Sequence, residues 1–244
     1  MKEIIFTSKI TVTPIQEMGG DHMVVAAARV STDPQAALAA ANDKEESQGL
    51  INYLMKHRHG TPFEHSSMSF YVHAPICVWR EWHRHRIGFS YNEESGRYKQ
   101  LDPVFYIPDR DRPMIPRPGF KSARPGFDLP TDDEYQELVA ALKEGYTQAY
   151  RIYERLLGDG EIPRFDRGLA RNILGVGIYS SCWVTCNPRS LMAFLSLRTH
   201  EPEASFVSYP LWEIEVAARS AEKILAASWP MTYKAFCDNG RVAP

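Results

Sequence analysis

Apolar side chains recur along this chain at two spacings, and each spacing predicts a different kind of element. Segments 3–13, 66–72 and 177–185 alternate loosely or are rich in β-branched and aromatic residues, which predicts strands. Apolar stripes, helix-start signals or both predict helices over 21–28, 47–56, 74–86, 132–157, 164–174, 188–197 and 212–227. Asp21 is expected to cap the first helix, and Pro75 to occupy the first turn of the third.

This mixture predicts an α/β (α+β) fold in which a mixed or antiparallel sheet packs against several long helices. A single domain over 1–244 is the economical prediction. The stretch 107–130 is rich in proline and charge, and it has chemistry-bearing residues on both sides. It is therefore predicted to be a surface insertion within the domain, and not a linker between domains.

Composition excludes several classes of protein. The chain is 44% hydrophobic and carries a net charge of −2, so no overall basic field attracts nucleic acid and any anion binding must be local. No apolar run approaches the roughly 20 residues that span a bilayer, and the N-terminus does not resemble a signal peptide. Four cysteines are too few for a disulfide framework, which favours a reducing cytoplasmic location.

The segment 84–98 concentrates charged and polar groups in a short stretch. Arg84, Arg86 and Arg97 supply planar guanidinium forks that match phosphate or carboxylate oxygens, and two glycines allow close backbone approach. The acidic pair Glu93–Glu94 argues against a simple nucleic-acid patch. The segment predicts a polyanion site; the alternative is a solvated charged loop.

The segment 57–65 is rich in histidine. His57, His59 and His65, joined by His83 or His85, raise the possibility of a metal site, but no paired cysteine or His-Glu-x-x-His motif accompanies them. Histidines that are satisfied by structural neighbours, and a polar wall for a cofactor, are the other two interpretations.

The segment 185–198 predicts a strand that runs into a helix N-terminus, where free N–H groups favour an anion or a carbonyl oxygen. Asn187 lies near the predicted cap, Arg189 in the first turn and Arg198 near the end. Surface arginines on a capped helix are the alternative. Cys186 is a candidate nucleophile at the helix start, although a lone cysteine is more often a small buried apolar residue.

Taken together, these segments resemble the flavin-dependent thymidylate synthases, which methylate dUMP without a cysteine nucleophile. The resemblance extends from about residue 20 to residue 225 and so covers most of the chain. The motifs that carry it, in the expected order, are Thr61-Pro62-Phe63-Glu64-His65, Arg84-His85-Arg86 followed by Ser95-Gly96-Arg97-Tyr98, and Asn187-x-Arg189-Ser190-Leu191 with Arg198.

The resemblance implies FAD as cofactor, NADPH as reductant, dUMP as acceptor and methylenetetrahydrofolate as one-carbon donor. It also implies that Arg198 is catalytic and helps to ionise the uracil ring at N3. The positions it assigns to dUMP are Glu81, Arg84, Glu93, Glu94, Ser95, Gly96, Arg97, Arg171 and Arg198. Those it assigns to FAD are His59, Thr61, Glu64, Arg84, His85, Arg86, Asn92, Glu93, Asn187 and Arg189.

The family resemblance further implies a homotetramer whose active sites are shared between subunits, with Arg171 reaching the nucleotide of a neighbour. The helix that begins at Asp132 is expected in the interface. Neither a metal, a membrane nor a nucleic acid is an expected partner.

The chain departs from the family pattern at four places. Eight residues separate Arg86 from Ser95, one more than usual, and we place the added residue within 87–89. Glu81 stands where glutamine is common, and Ala193 where some members place asparagine or histidine against the flavin. The segment between Arg198 and the helix at 212 is also longer than expected.

Three competing classes make different predictions. A flavin oxidoreductase would oxidise NADPH without forming dTMP, and a zinc hydrolase would contain metal. A nucleic-acid module would bind DNA or RNA with a steep salt dependence.

Overall fold

The computed structural model describes residues 2–119, 121 and 125–244. Its strands are β1 (Ile5–Thr7), β2 (Thr11–Met18), β3 (Ser67–Pro75), β4 (Phe89–Glu93), β5 (Val104–Tyr106), β6 (Ile115–Pro116), β7 (Phe127–Asp128) and β8 (Tyr179–Cys186). Its helices are α1 (Asp21–Arg29), α2 (Pro34–Asp43), α3 (Gln48–Lys56), α4 (Ile76–Trp82), α5 (Asp132–Leu157), α6 (Arg167–Ala170), α7 (Pro188–Arg198), α8 (Trp212–Ser228) and α9 (Pro230–Asp238). None of these helices combines the length and the apolarity needed to cross a bilayer.

These elements confirm the predicted α/β class, and they fall into two compact units. The first unit comprises the described part of Met1–Ile10 with His73–Glu81 and Glu93–Cys182. The second comprises Thr11–Val72, Trp82–Asn92 and Trp183–Pro244. Each unit is therefore assembled from segments that are distant in sequence, and a single domain over 1–244 stays a prediction.

The first unit is organised around α5. Strands β1 and β5 pair in parallel, with Phe6 opposite Phe105. The rings of Tyr146 and Tyr150 pack on Phe105, one stacked at 4.8 Å and the other edge-on at 6.1 Å between ring centroids. The buried core is completed by Leu101, Tyr153, Leu157, Ala170 and Ile178.

Helix α5 has the bounds that its apolar stripe predicts. Thr131 Oγ1 accepts a hydrogen bond from Glu134 N, and Glu134 Oε2 accepts one from Thr131 N, which makes a capping box. The acidic residues of the first turn also complement the helix dipole. The capping box marks the start of the helix and the apolar stripe continues along it, so the local sequence is sufficient to predict this helix.

The second unit combines helices with a four-stranded sheet in the order β2-β3-β8-β4, three of whose strands continue beyond the unit along the chain. Helix α7 packs on α8, which in turn packs on α9 and β2, while α1 packs on α2 and α3. Trp82 and Phe194 are fully buried and stack at 4.7 Å between ring centroids. This stack lies beneath the segment that carries the signature arginines.

The helix predicted over 74–86 is wrong at both ends. Strand β3 continues through Pro75, which lacks the N–H that the sheet would use next. Helix α4 then ends at Trp82, where His85 N donates to Trp82 O and the chain turns into β4. The strand predicted over 3–13 is also wrong as one element, because Lys9 N donates to Thr7 Oγ1 and the chain turns between β1 and β2.

Asp21 begins α1 but does not cap it. Its carboxylate is 1% exposed and accepts hydrogen bonds from Met231 N, Thr232 N and Thr232 Oγ1 at 2.7, 2.9 and 2.6 Å. These donors belong to the first turn of α9, so Asp21 satisfies the N-terminus of a helix more than two hundred residues away.

The predicted proline-rich insertion contains a small hairpin. Strands β6 and β7 pair antiparallel, and Arg117 Nε contacts Asp128 Oδ1 at 2.7 Å. Phe120 and 122–124 belong to the predicted insertion but lie outside the described residues. The described residues of this stretch therefore contain a short antiparallel strand pair, and its role as a surface insertion within one domain stays a prediction.

Candidate active site

A turn after α4 presents the first two signature arginines in the second unit. Tyr91 Oη donates to His85 O at 2.6 Å and so closes the turn from within. Gly88 has a φ of 68°, in the left-handed region that favours glycine. Arg84 and Arg86 are exposed on this turn, where their guanidinium groups are accessible to an anion.

The same turn lies against the N-terminus of α7. A Cβ atom on Gly88 would come within 2.1 Å of Ser190 Oγ and 3.0 Å of Asn187 Nδ2. Asn187 caps the helix as predicted, because its Oδ1 accepts a hydrogen bond from Ser190 N at 2.8 Å. Two motifs that are about a hundred residues apart in sequence are therefore in direct contact.

Arg198, at the end of α7, contacts the central residue of the signature. Its Nε donates a hydrogen bond to His85 Nε2 at 3.1 Å, so His85 is neutral with an unprotonated Nε2. Burial, then the charges of Arg198 and Arg84, lower the pKa of His85 to about 4. The imidazole also meets the Phe194 ring edge-on at 5.0 Å, which fixes its plane. The guanidinium of Arg198 is consequently oriented by a neutral acceptor.

Arg189, predicted to bind FAD, has several protein partners. Its Nη1 forms an ion pair with Glu64 Oε1, and its Nε donates to Pro244 O at 2.7 Å. Gly60 lies so close that a Cβ atom there would be 2.5 Å from the guanidinium carbon. Arg189 and Glu64 therefore act as a pair, and a ligand at either one must share or displace these contacts.

His59 and Thr61 border a cavity of about 590 Å³ in the second unit. Both side chains are exposed, and the cavity is also lined by Arg29, Tyr53 and His65. The His59 ring is nearly parallel to the Tyr53 ring, at 6.0 Å between centroids. The region combines ring faces with polar atoms, as a cofactor site requires.

In the first unit, the acidic pair at the end of β4 is engaged by protein donors. Ser180 Oγ donates to Glu93 Oε1 at 2.6 Å, and Ser181 N donates to Glu94 Oε1 at 2.8 Å. Glu94 also pairs with Lys99 at 2.7 Å. These contacts fix the carboxylates, so Glu93 and Glu94 can hold the backbone of the following loop in place.

The next residues form a compact loop. Tyr98 N and Lys99 N both donate to Ser95 O, and Arg97 N donates to Ser95 Oγ at 3.2 Å. A Cβ atom on Gly96 would lie 3.1 Å from Arg171 Cδ, so Arg171 packs directly on this glycine. The loop therefore brings the exposed side chains of Arg97 and Arg171 to one region of the first unit.

The predicted site residues are thus divided between the units. The first unit holds Glu81, which is half-buried on α4, together with Glu93, Glu94, Ser95, Gly96, Arg97 and Arg171. The second holds His59, Thr61, Glu64, Arg84, His85, Arg86, Asn187, Arg189, Arg198 and Asn92, which is exposed on β4.

The alternative chemistries find little support in the described residues. Cys186 is 2% exposed, and burial raises the pKa of its thiol well above the ordinary value, so the thiol is protonated and inaccessible. Within 2–119, 121 and 125–244, no three His, Cys, Asp or Glu side chains gather in a way that could hold a metal ion.

Comparison with known proteins supplies the family. A family model described as thymidylate synthase complementing protein matches residues 14–231. A flavin-dependent thymidylate synthase from Streptomyces coelicolor is 47% identical over 246 residues, covering 99% of this chain and 96% of the relative. The chain belongs to the flavin-dependent thymidylate synthase family. A second member, from Tropheryma whipplei, is 46% identical and covers 98% of this chain and 97% of its own length.

The fold of the family is shared with a solved enzyme. The crystal structure of the UMP/dUMP methylase PolB from Streptomyces cacaoi, bound with 5-Br dUMP, matches with a TM-score of 0.87 and 43% identity. The match covers 99% of this chain and 100% of that chain. The chain is therefore a flavin-dependent enzyme of known architecture.

The residues around the Gly88 turn suit a flavin cofactor. Gly88 allows the arginine turn to pack directly on the cap of α7, because a side chain there would intrude on Asn187 and Ser190. Exposed Arg84 and Arg86 on the adjoining turn offer the charge that a pyrophosphate needs. The donor set therefore fits a flavin dinucleotide.

Sequence reasoning missed several residues that shape this site. Ser180 and Ser181 were treated only as part of a strand, yet they hold Glu93 and Glu94. Tyr150 and Tyr153 were treated only as members of an apolar stripe. Hydroxyl groups on a buried helix face indicate that the helix makes hydrogen bonds to a neighbouring segment, since a buried hydroxyl needs a partner.

Proposed function

We propose that this enzyme methylates dUMP to dTMP, using methylenetetrahydrofolate as the carbon donor and FAD that is reduced by NADPH. No cysteine nucleophile takes part. The observation that carries this proposal is the Arg198 guanidinium, which neutral His85 orients at a fixed distance of 3.1 Å. The family membership of the chain supports the same reaction.

Arg198 stabilises negative charge on the uracil ring. A guanidinium beside N3 favours the ionised ring, which raises electron density at the carbon that receives the methyl group. Because His85 is neutral, it accepts the Nε–H of Arg198 without cancelling its charge. Loss of one such electrostatic contact typically slows turnover by about 100- to 1000-fold.

The nucleotide is held by arginines and by the loop around Gly96. Arg97 in the first unit and Arg84 in the second are each exposed, so each guanidinium is a candidate partner for the phosphate dianion, and Ser95 and Gly96 supply a hydroxyl and backbone groups next to Arg97 in the chain. Glu81, Glu93 and Glu94 complete the proposed dUMP set, with the two latter groups fixing the loop. The 5′-phosphate is thereby aligned by forked donors.

The remaining polar residues hold the cofactor. When bound, FAD carries reducing equivalents from NADPH to the transferred carbon. Arg84, Arg86 and the N-terminus of α7 with Asn187 orient its charged portion. His59, Thr61, Glu64, His85, Asn92, Glu93 and Arg189 complete the proposed set.

We further propose a homotetramer in the cytoplasm with Arg171 acting in the site of a neighbour. Apolar residues recur every three or four positions around Arg171 and are between 42% and 87% exposed, which suits burial against another copy. These residues are Ile162, Phe165, Leu169, Ile173 and Val176.

Shared sites can be tested by mixing variants. Arg171→Ala and Arg198→Ala homotetramers are each expected to be nearly inactive. After the two are dissociated and reassembled together, some sites regain both arginines and part of the activity returns. If mixing restores none while co-purification of the two differently tagged variants confirms mixed tetramers, Arg171 acts within its own subunit.

The reaction itself is tested by omission. The purified protein should show a flavin absorption spectrum and form dTMP only when dUMP, methylenetetrahydrofolate and NADPH are all present. NADPH oxidation without dTMP would indicate the oxidoreductase class and overturn the proposal. The same assay with UMP addresses a second acceptor, because a similar solved structure is a UMP/dUMP methylase bound with 5-Br UMP at 42% identity.

A further inference from the structure

Two buried tyrosines on α5 hold both backbone groups of one residue, Leu101. Leu101 N donates to Tyr153 Oη at 3.1 Å, and Tyr150 Oη donates to Leu101 O at 3.0 Å. Gln100 Nε2 donates to Tyr150 Oη at 3.2 Å, so this hydroxyl is used twice. Both tyrosines are fully buried, where a backbone group that loses its partner is not compensated by water.

Leu101 in turn supports the loop that contains Gly96. A Cβ atom on Gly96 would lie 3.1 Å from Leu101 Cδ1 and 3.1 Å from Arg171 Cδ, so both side chains pack against Gly96. Leu101 is 9% exposed and fills the space beneath the loop. A shift of the Leu101 backbone would therefore move its side chain against Gly96 and Arg171.

Ser180 and Ser181 hold the start of this loop through Glu93 and Glu94, and the remaining side-chain restraint after Gly96 is weak by comparison. Lys99 bridges Glu94 and Asp102, but its side chain is 50% exposed. Exposed ion pairs hold geometry poorly because water and salt compete for both charges. The buried hydroxyl contacts to Leu101 are therefore the firmer support for the loop.

We propose that Tyr150 and Tyr153 are positioning residues for the nucleotide-binding loop, acting through the backbone and side chain of Leu101. The inference rests on the proposed function in naming dUMP as the ligand of this loop. Burial raises the pKa of Tyr150 to about 12, so its hydroxyl keeps its proton throughout the assay range.

The test compares Tyr150→Phe, Tyr153→Phe and the double variant with Tyr135→Phe. Tyr135 lies on the same helix and also donates to a backbone oxygen, that of Pro108, at 3.1 Å, so it is a matched control. The double variant should raise KM for dUMP about tenfold while kcat changes less than about twofold. The affinity for FAD should stay unchanged, and Tyr135→Phe should leave KM unchanged.

Hydrogen exchange of nucleotide-free protein gives an independent measurement. Amides of 95–101 should exchange about tenfold faster in the double variant, and those of the β1–β5 pair should not. Unchanged KM and unchanged exchange would overturn the inference, as would a parallel loss of kcat, FAD affinity and global stability. If the double variant fails to fold, each single variant is judged by the same two measurements.

The two proposals fail in distinguishable ways. If the unmodified enzyme forms no dTMP, the proposed function is wrong. The exchange measurement then still decides whether Tyr150 and Tyr153 hold the loop.

Discussion

In the first unit, the loop around Gly96 is held by hydrogen bonds from serines and buried tyrosines, whereas in the second unit the turn around Gly88, which the Tyr91 hydroxyl closes from within, is held against α7 by packing. Ser180 Oγ donates to Glu93 Oε1 at 2.6 Å, and Tyr150 Oη donates to Leu101 O at 3.0 Å. The Gly88 turn instead lies against Ser190 and the Phe194 ring packs beside His85.

The difference separates two ways to fix a charged ligand site. A hydrogen-bonded loop depends on single oxygen atoms, so isosteric removal of one hydroxyl should loosen it. A packed turn depends on volume, so one added carbon should disturb it. Burial, and then the positive charge that the packed turn collects, lowers the pKa of His85 and keeps it neutral beside Arg198. The following changes, from the largest expected effect to the smallest, separate these two modes.

Arg198→Lys should reduce kcat for dTMP formation by about 100- to 1000-fold, because an ammonium cannot reproduce the oriented guanidinium. The flavin content and the melting temperature should stay close to those of the unmodified enzyme. Arg155→Lys, at an exposed position on α5, is the control and should retain full activity. A near-normal kcat in the Arg198→Lys variant would remove Arg198 from the proposed mechanism.

Stability should fall as the pH drops from about 6.5 to about 4. In this window an unfolded histidine takes up a proton, whereas the folded protein, with the pKa of His85 lowered to about 4, does not. Above the window both states are neutral at this residue, so its contribution is fully present there. Because His85 is only partly buried, solvent screening reduces the loss due to this residue to roughly 1–2 kcal/mol.

Urea unfolding at a series of pH values measures this dependence, and His85→Gln serves as the comparison. The free energy of unfolding of this variant should depend less on pH, because the contribution of the histidine is absent. Identical slopes for the two proteins would show that His85 is not held neutral by the fold.

Gly88→Ala should lower the free energy of unfolding by about 2 kcal/mol, because the φ of 68° is strained for alanine and its Cβ would clash with Ser190. Flavin retention on gel filtration should fall with it. Gly49→Ala is the control, since a Cβ there meets no atom within 4 Å among the described residues. Equal stability of both variants would mean that the turn is not tightly packed.

Gly96→Ala should raise KM for dUMP about tenfold with little change in the free energy of unfolding, because its Cβ would press on Leu101 and Arg171 at 3.1 Å. Gly145→Ala, in the middle of α5, has open space around the added carbon in the described structure. It should leave KM unchanged. An equal KM for the two variants would argue against a tight contact beneath the nucleotide loop.

The sequence predicted the regular elements best where start and stop signals agree with periodicity. Helix α5 has its predicted bounds because a capping box and an amphipathic stripe coincide. The 74–86 helix failed because the apolar pattern of a strand end merges with that of α4 across Pro75. Helix α9 was missed because its first-turn N–H groups are hydrogen-bonded in part by Asp21, which lies far away in the sequence. No local pattern reveals such a distant partner.

For the site, the short motifs with charged residues could be identified from the sequence. The residues that hold those charged side chains in place could not. Arg84, Arg86 and Arg198 stand out by residue type and order along the chain. The contact of Arg198 with His85 joins residues 113 positions apart, and the contact of Tyr150 with Leu101 joins residues 49 apart. Such pairings depend on how elements pack, and a single sequence carries no direct signal for them.

The carboxylate of Asp21 gives the order of synthesis a physical meaning. It leaves the ribosome 210 residues before Met231, its first partner in α9. Until that helix emerges, the carboxylate must stay hydrated, because an unpaired buried charge is costly. The second unit therefore cannot bury this carboxylate with its own partners until α9 has been made, so this part of its core is completed late in synthesis.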